Sequence, residues 1–168
     1  MKKKVSRHRD VVVRSLGELR RFARAFARTV RGGEVIALSG QLGAGKTTFV
    51  RMLGKALSAR ERITSPTFTL MHLHALRKRK GPTLLVHIDA YRLRGSSAFV
   101  DIGALDYLGR SDTVAVIEWP ERVRRALPPQ TQWINIAPGG MRTERRIRVA
   151  VPGGGAPIPP RGKLPRRS

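Results

Sequence analysis

The stretch VIALSGQLGAGKTTFVRML, residues 35–53, decides the fold. A short apolar run enters, a glycine-rich turn follows, and an amphipathic run leaves from about residue 46 to residue 57. Within it GQLGAGKTT, residues 40–48, matches G-x-x-x-x-G-K-[ST] through Gly40, Gly45, Lys46 and Thr47. Each part has a physical task. Glycines let backbone N–H groups close around phosphate oxygens, and the helix that follows adds the positive end of its dipole. The Lys46 ammonium can reach β- and γ-phosphates, and the Thr47 hydroxyl suits Mg²⁺. The whole loop (Gly40, Gln41, Leu42, Gly43, Ala44, Gly45, Lys46, Thr47 and Thr48) is therefore expected to cradle ATP or another nucleoside triphosphate. A glycine-rich structural turn is the plainer reading, and the strand–turn–helix context argues against it.

Working outward, residues 11–13 read as a short strand and SLGE, residues 15–18, as a capping box. Leu16, Leu19, Phe22, Ala23, Phe26, Ala27 and Val30 then share one helical face, with arginines on the other, until Gly32-Gly33 stops the run. Residues 68–73 and 83–88 read as strands of a hairpin, 97–108 as a helix, 113–117 as a strand and 121–127 as a short helix. A last strand pair, 132–137 and 145–151, flanks Pro138-Gly139-Gly140. This order predicts an α/β fold: a single P-loop NTPase domain over 11–151, a mixed sheet with helices on both faces, and an antiparallel hairpin portion. Residues 1–10 read as a basic extension and 152–168 as a disordered, basic Pro/Gly-rich tail.

Composition narrows the class. With 168 residues and 40 % hydrophobic content, the chain can bury a real core. It has no cysteine, which excludes disulfides and Cys-based zinc sites and suits a reducing cytoplasm, the expected location. No apolar run is long enough to span a membrane, and the N-terminus lacks the apolar stretch of a signal peptide. The net charge of +23 should attract polyanions such as RNA in a salt-dependent way. An arginine-decorated solvated surface explains the same charge, and aromatic residues, at 5 %, do not interleave with it as an RNA-stacking surface would require.

A P-loop also needs an acid for its magnesium, held directly or through water. Two candidates end apolar runs: Asp89 after LLVHI and Glu118 after TVAVI. Carboxyl ends of strands in such sheets face the ligand crevice, so both could lie beside the phosphates. One could hold Mg²⁺ while the other orients water; spacing leaves the roles open, and a cap or turn remains the bland alternative for each. Between them and the P-loop, TSPTF places Thr64, Ser65 and Thr67 around Pro66, either a switch-like sensor of the γ-phosphate or an ordinary Ser-Pro turn.

Taken together, LSGQLGAGKTTFVR, TSPTFTL, HIDAYRL and VIEWPERV, in this order and spacing, closely resemble the TsaE (YjeE) family of bacterial P-loop ATPases, from about residue 11 to 151. The resemblance implies an ATPase of the pathway that makes threonylcarbamoyladenosine at position 37 of tRNAs reading ANN codons. Its partners would be the transferase subunits TsaD and TsaB, with tRNA contacted through the complex or the basic surface, and it would not itself transfer the threonylcarbamoyl group. It also implies residue roles: Lys46 and Thr47 for phosphate and magnesium, Glu118 as the acidic metal ligand, and Asp89 as an acid near the γ-phosphate. Thr67 falls in the switch-like loop, Trp119 beside the nucleotide, and Arg145 in the last strands as a loosely matched basic residue. Three features depart from the family pattern: Gln41 where an acid is usual, a helix after HIDAYRL poor in acids apart from Asp101 and Asp106, and the two basic tails. Two other classes remain open: a small P-loop kinase, with Asp89 activating an acceptor hydroxyl, and a basic RNA-binding module that holds ATP only structurally.

Overall fold

The computed structural model describes residues 8–66, 68–77 and 80–150. Its framework is one seven-stranded sheet in the order β1-β7-β6-β2-β5-β4-β3. The strands are β1 (His8–Val13), β2 (Val35–Ser39), β3 (Met71–Ala75), β4 (Leu84–Asp89), β5 (Thr113–Glu118), β6 (Gln132–Pro138) and β7 (Arg145–Ala150). The four central strands, β6, β2, β5 and β4, run parallel, while β7, β1 and β3 join the edges antiparallel. Every residue of β2 and β5 is buried, so these strands read in sequence as unbroken apolar runs rather than alternating ones.

Two helical layers explain that burial. On one face, α1 (Leu16–Ala27) and α2 (Lys46–Ala56) pack Leu19, Phe26, Phe49 and Leu53 against Ile36, Leu38, Val116 and Ile134. Phe49, fully buried, sits 5.7 Å and 6.0 Å from the rings of Phe22 and Phe26 and so ties the P-loop helix to α1. On the other face, α3 (Ser96–Asp101) and the 3₁₀ turns after it bring Phe99, Ala104 and Val123 against Val35, Val86, Ala115 and Ile117. The predicted α/β class, with a mixed sheet and helices on both faces, is the observed one.

Local details differ from the sequence reading. β1 includes His8, Arg9 and Asp10 ahead of the apolar triplet, where Asp10 and Arg148 form a paired ion bridge across the β1–β7 ladder. β3 begins at Met71 rather than residue 68; Phe68 and Thr69 lie in a turn that ends on Leu70, whose φ is +66°. The helix expected over 97–108 breaks after Asp101, where Gly103 takes φ +71° and a 3₁₀ turn, Ala104–Tyr107, follows. The short helix expected over 121–127 is two 3₁₀ turns, Pro120–Arg122 and Arg124–Ala126. Residues 1–7 and 151–168 lie outside the described residues, and with them most of the predicted basic extension 1–10 and all of the predicted tail 152–168.

Candidate nucleotide site

The two long helices begin differently. At α1 the Ser15 hydroxyl accepts from the Glu18 N–H, and Glu18 in turn accepts from the Arg14 N–H. At α2 the N-cap is Gly45, in the left-handed region, with no side-chain cap and no acidic residue in the first turn. The amides of that turn are thus left to an outside anion, the arrangement expected of a phosphate site. Gly40 is required sterically as well. Its φ is +144°, and a Cβ there would sit 2.2 Å from the Ile136 carbonyl oxygen, where the loop leaves β2 against β6.

Lys46 is buried, its ammonium donating to the carbonyls of Gly40 (2.7 Å) and Gln41 (3.0 Å) and lying 3.9 Å from the centre of the Trp119 ring. Burial pulls its pKa below the ordinary lysine value, against the opposing pull of Glu118, Glu121 and Asp89. The next hydroxyl, Thr47 Oγ1, donates to Glu118 Oε2 at 3.1 Å. Glu118 Oε1 meets His87 Nε2 at 2.8 Å, deep in the sheet.

Asp89 and Glu118 are register partners at the ends of β4 and β5. Asp89 is buried and accepts the Tyr91 N–H at 3.1 Å, capping the 3₁₀ turn Ala90–Arg92. It also lines a cavity of about 350 Å³, shared with Leu42, Gly43, Lys46, Thr47, Thr48, Ser65, Tyr91, Glu118 and Trp119. The turn start and the site acid are therefore one residue. Trp119 holds a left-handed backbone, φ +57°, and its ring packs 4.9 Å from Tyr91, closing one side of the cavity.

The predicted site residues mostly converge. Gly43, Gly45, Lys46, Thr47, Thr48, Asp89, Glu118 and Trp119 meet at the cavity, while Gly40, Gln41 and Ala44 support it through backbone. Arg145 stands behind the loop: its guanidinium donates to the carbonyls of Ala44, Arg142 and Glu144, pinning the P-loop to the β6–β7 turn. Thr67 lies outside the described residues. Three residues were missed in the sequence. His87 stands at the head of the quoted HIDAYRL stretch, but only its acid was given a role. Ser39 and Asn135, which share a 3.0 Å hydrogen bond under the loop, lie 96 positions apart.

This geometry can do definite chemistry. A cavity of this volume is ample for the phosphate end of a nucleotide, with a lysine and free helix amides at one wall and two carboxylates at the other. Among the described residues no group of three or more His, Cys, Asp or Glu is arranged to hold a metal. A magnesium bound with a nucleotide needs fewer protein ligands, and the Thr47 hydroxyl with the Glu118 carboxylate offers the hard oxygens it takes.

The family model described as "Threonylcarbamoyl adenosine biosynthesis protein TsaE" matches residues 13–147, from the end of β1 to the middle of β7. The chain belongs to the TsaE family. A relative from Treponema pallidum, a tRNA threonylcarbamoyladenosine biosynthesis protein TsaE, is 41 % identical over 125 residues, 74 % of this chain and 88 % of the relative. The TsaE protein of Streptomyces coelicolor is 45 % identical over 103 residues, covering 61 % and 68 %. Among solved structures, Bacillus subtilis YdiB superposes with a TM-score of 0.67 at 26 % identity over 90 % of each chain. The TsaE match spans the P-loop, Asp89 and Glu118 together. Among the described residues no helix is long and apolar enough to cross a membrane.

Proposed function

We propose that the chain is a Mg²⁺-dependent ATPase that serves threonylcarbamoyladenosine formation on tRNA in the cytoplasm, working with the transferase subunits TsaD and TsaB. The observation that carries this reading is the convergence of an uncapped P-loop helix, Lys46, Thr47, Asp89 and Glu118 on one cavity, in a member of the TsaE family.

In this reading the amides of residues 43–48 and the Lys46 ammonium hold the phosphates. Lys46 leaves the Gly40 and Gln41 carbonyls, and the Trp119 ring, to do so. Thr47 and Glu118 hold the magnesium, whose contribution when bound is to neutralise charge on the phosphates. Asp89, fixed by the Tyr91 N–H, takes the position from which a carboxylate can orient the attacking water or accept its proton. Tyr91 and Trp119 wall the cavity from bulk solvent. The energy of hydrolysis is then passed to the partner rather than to a group transferred by this chain. Contact with tRNA, through the complex or through the basic helix face, belongs to the same reading.

The test is phosphate release from MgATP by the purified protein, alone and with the TsaB–TsaD pair of the same organism. Slow release alone and a clear change with the pair is expected. Release that ignores the pair, or label that moves from ATP to an acceptor hydroxyl, would reject this reading and favour a kinase.

A further inference from the structure

Glu118 has two oxygens and two separate donors. Thr47 Oγ1 takes Oε2 at 3.1 Å on the cavity side, and His87 Nε2 takes Oε1 at 2.8 Å on the sheet side. The terminal torsion of a glutamate is broad, so an unsupported carboxylate would sweep many orientations. Here it is held from both ends. We propose that His87 is a positioning residue for Glu118: its Nε2–H fixes Oε1 so that Oε2 stays aimed at Thr47 and the phosphate end of the cavity. The inference rests on the proposed magnesium role of Glu118 and adds a residue that does not itself line the cavity.

Three observations favour this over a histidine that merely fills space. His87 is wholly buried in β4, flanked by Val86 and Ile88, where an aliphatic side chain would pack without polar cost. Its Nδ1 has no hydrogen-bond partner among the described residues, so the imidazole sits there at a penalty. What the ring supplies that an aliphatic group could not is the single short bond to Oε1. An ionised carboxylate only accepts, so this bond assigns the ring proton to Nε2. Buried groups that orient a metal ligand in this way typically change metal affinity or activity by about 10- to 100-fold when removed.

Two conservative variants separate the roles. The amide nitrogen of asparagine falls near the place of Nδ1, and that of glutamine near the place of Nε2. His87→Asn and His87→Gln therefore bury the same chemical group but differ in whether it reaches Glu118. Affinity for a fluorescent ATP analogue would be measured in EDTA and in MgCl₂, together with thermal unfolding and phosphate release. The expected result is that His87→Asn loses about 10- to 100-fold of the Mg²⁺-dependent gain in affinity. Its affinity in EDTA should stay within about twofold of wild type, and His87→Gln should recover most of the gain. A His87→Asn protein that keeps the wild-type gain overturns the inference alone. So does loss of the folded state in both variants, which would make His87 a packing residue. A wild-type protein whose affinity ignores Mg²⁺ overturns the magnesium reading of the site, and this inference with it.

Discussion

Asp89 and Glu118 stand opposite one another in the parallel ladder of β4 and β5, each the last residue of its strand and each buried at the rim of the same cavity. Although so placed, the two acids have different partners. Glu118 is bound by Thr47 and His87, whereas Asp89 caps the turn that carries Tyr91.

The difference predicts different losses. Glu118→Gln keeps the volume but weakens the metal's oxygen donor, so nucleotide affinity in EDTA should persist while Mg²⁺-dependent turnover falls on the order of 100-fold. Asp89→Asn should leave the Mg²⁺-dependent gain in affinity intact and lower turnover by a similar order, since only the water-orienting charge is lost. Single-turnover phosphate release beside equilibrium binding distinguishes the two; identical profiles for both variants would defeat the division of labour.

Lys46 and Trp119 give a signal. The ammonium lies 3.9 Å from the ring centre, and phosphates that draw it away must change the indole's surroundings. Nucleotide addition is expected to shift Trp119 fluorescence, with the shift retained in Trp133→Phe and abolished in Trp119→Phe. Lys46→Ala should lose the shift and at least about tenfold of the affinity, as expected for removing a charge-assisted contact to phosphate. A nucleotide-dependent signal that survives Trp119→Phe would place the reporter elsewhere.

Glycines of the loop should not be equivalent. A Cβ on Gly40 meets the Ile136 carbonyl oxygen at 2.2 Å, while one on Gly43 meets nothing within 4 Å, although both residues have positive φ. Gly43→Ala should cost about 1 kcal/mol from backbone strain alone. Gly40→Ala adds overpacking against β6 and should cost about 2–4 kcal/mol in urea unfolding, with nucleotide binding abolished as the loop moves. Equal costs would mean that the approach to β6 relaxes freely.

Much of this site was legible because its strongest elements are local. The apolar run 35–38, the glycine spacing and the lysine are contiguous, and each acid closes its own buried strand. What escaped depends on tertiary distance. Glu118 lies 31 residues from His87, and Asn135 reaches Ser39 across 96. Nothing in a histidine within LLVHID says that its ring will meet a carboxylate from the neighbouring strand. The positive φ of Trp119 has no sequence mark, since that region is advertised by glycine and, less often, by Asn or Asp, not by tryptophan. The helix expected over 97–108 is cut short for a local reason: Gly103 turns left-handed and splits it.

At the sheet's edge, Asp10 and Arg148 make two hydrogen bonds of 2.9 Å between β1 and β7. Arg148 holds the Asp10 carboxyl below its usual range. A depressed carboxyl contributes stability above its unfolded pKa and loses it as pH falls through the folded value. Unfolding free energy should therefore drop on acidification below about pH 4, and Asp10→Asn should flatten that part of the profile. Both side chains are largely exposed, so the contribution at neutral pH should be no more than about 1 kcal/mol. An acid limb that is unchanged in Asp10→Asn would assign it to other carboxyls.

The layer of α1 and α2 presents an almost wholly basic surface. Along α1 the exposed Arg20, Arg24 and Arg28 recur every fourth residue, and α2 adds exposed Arg51 and Lys55. The one acid of these two helices, Glu18, is taken up by the Arg14 N–H and by Arg21 at 3.7 Å. Beyond the opposite face, around α3 and the turns that follow, exposed Asp101, Asp106 and Glu121 are interleaved with exposed Arg94, Arg110, Arg124 and Arg125, so the charge there is mixed. If the α1–α2 layer meets a phosphate backbone, reversing Arg20, Arg24 and Arg28 to Glu should weaken tRNA binding. The slope of log affinity against log salt should become shallower by about one for each phosphate that an arginine no longer neutralises. Phosphate release by the protein alone should not change, because none of the three lines the cavity. A salt slope identical to wild type would show that these arginines are solvated surface, and that tRNA, where it is bound, meets another part of the chain.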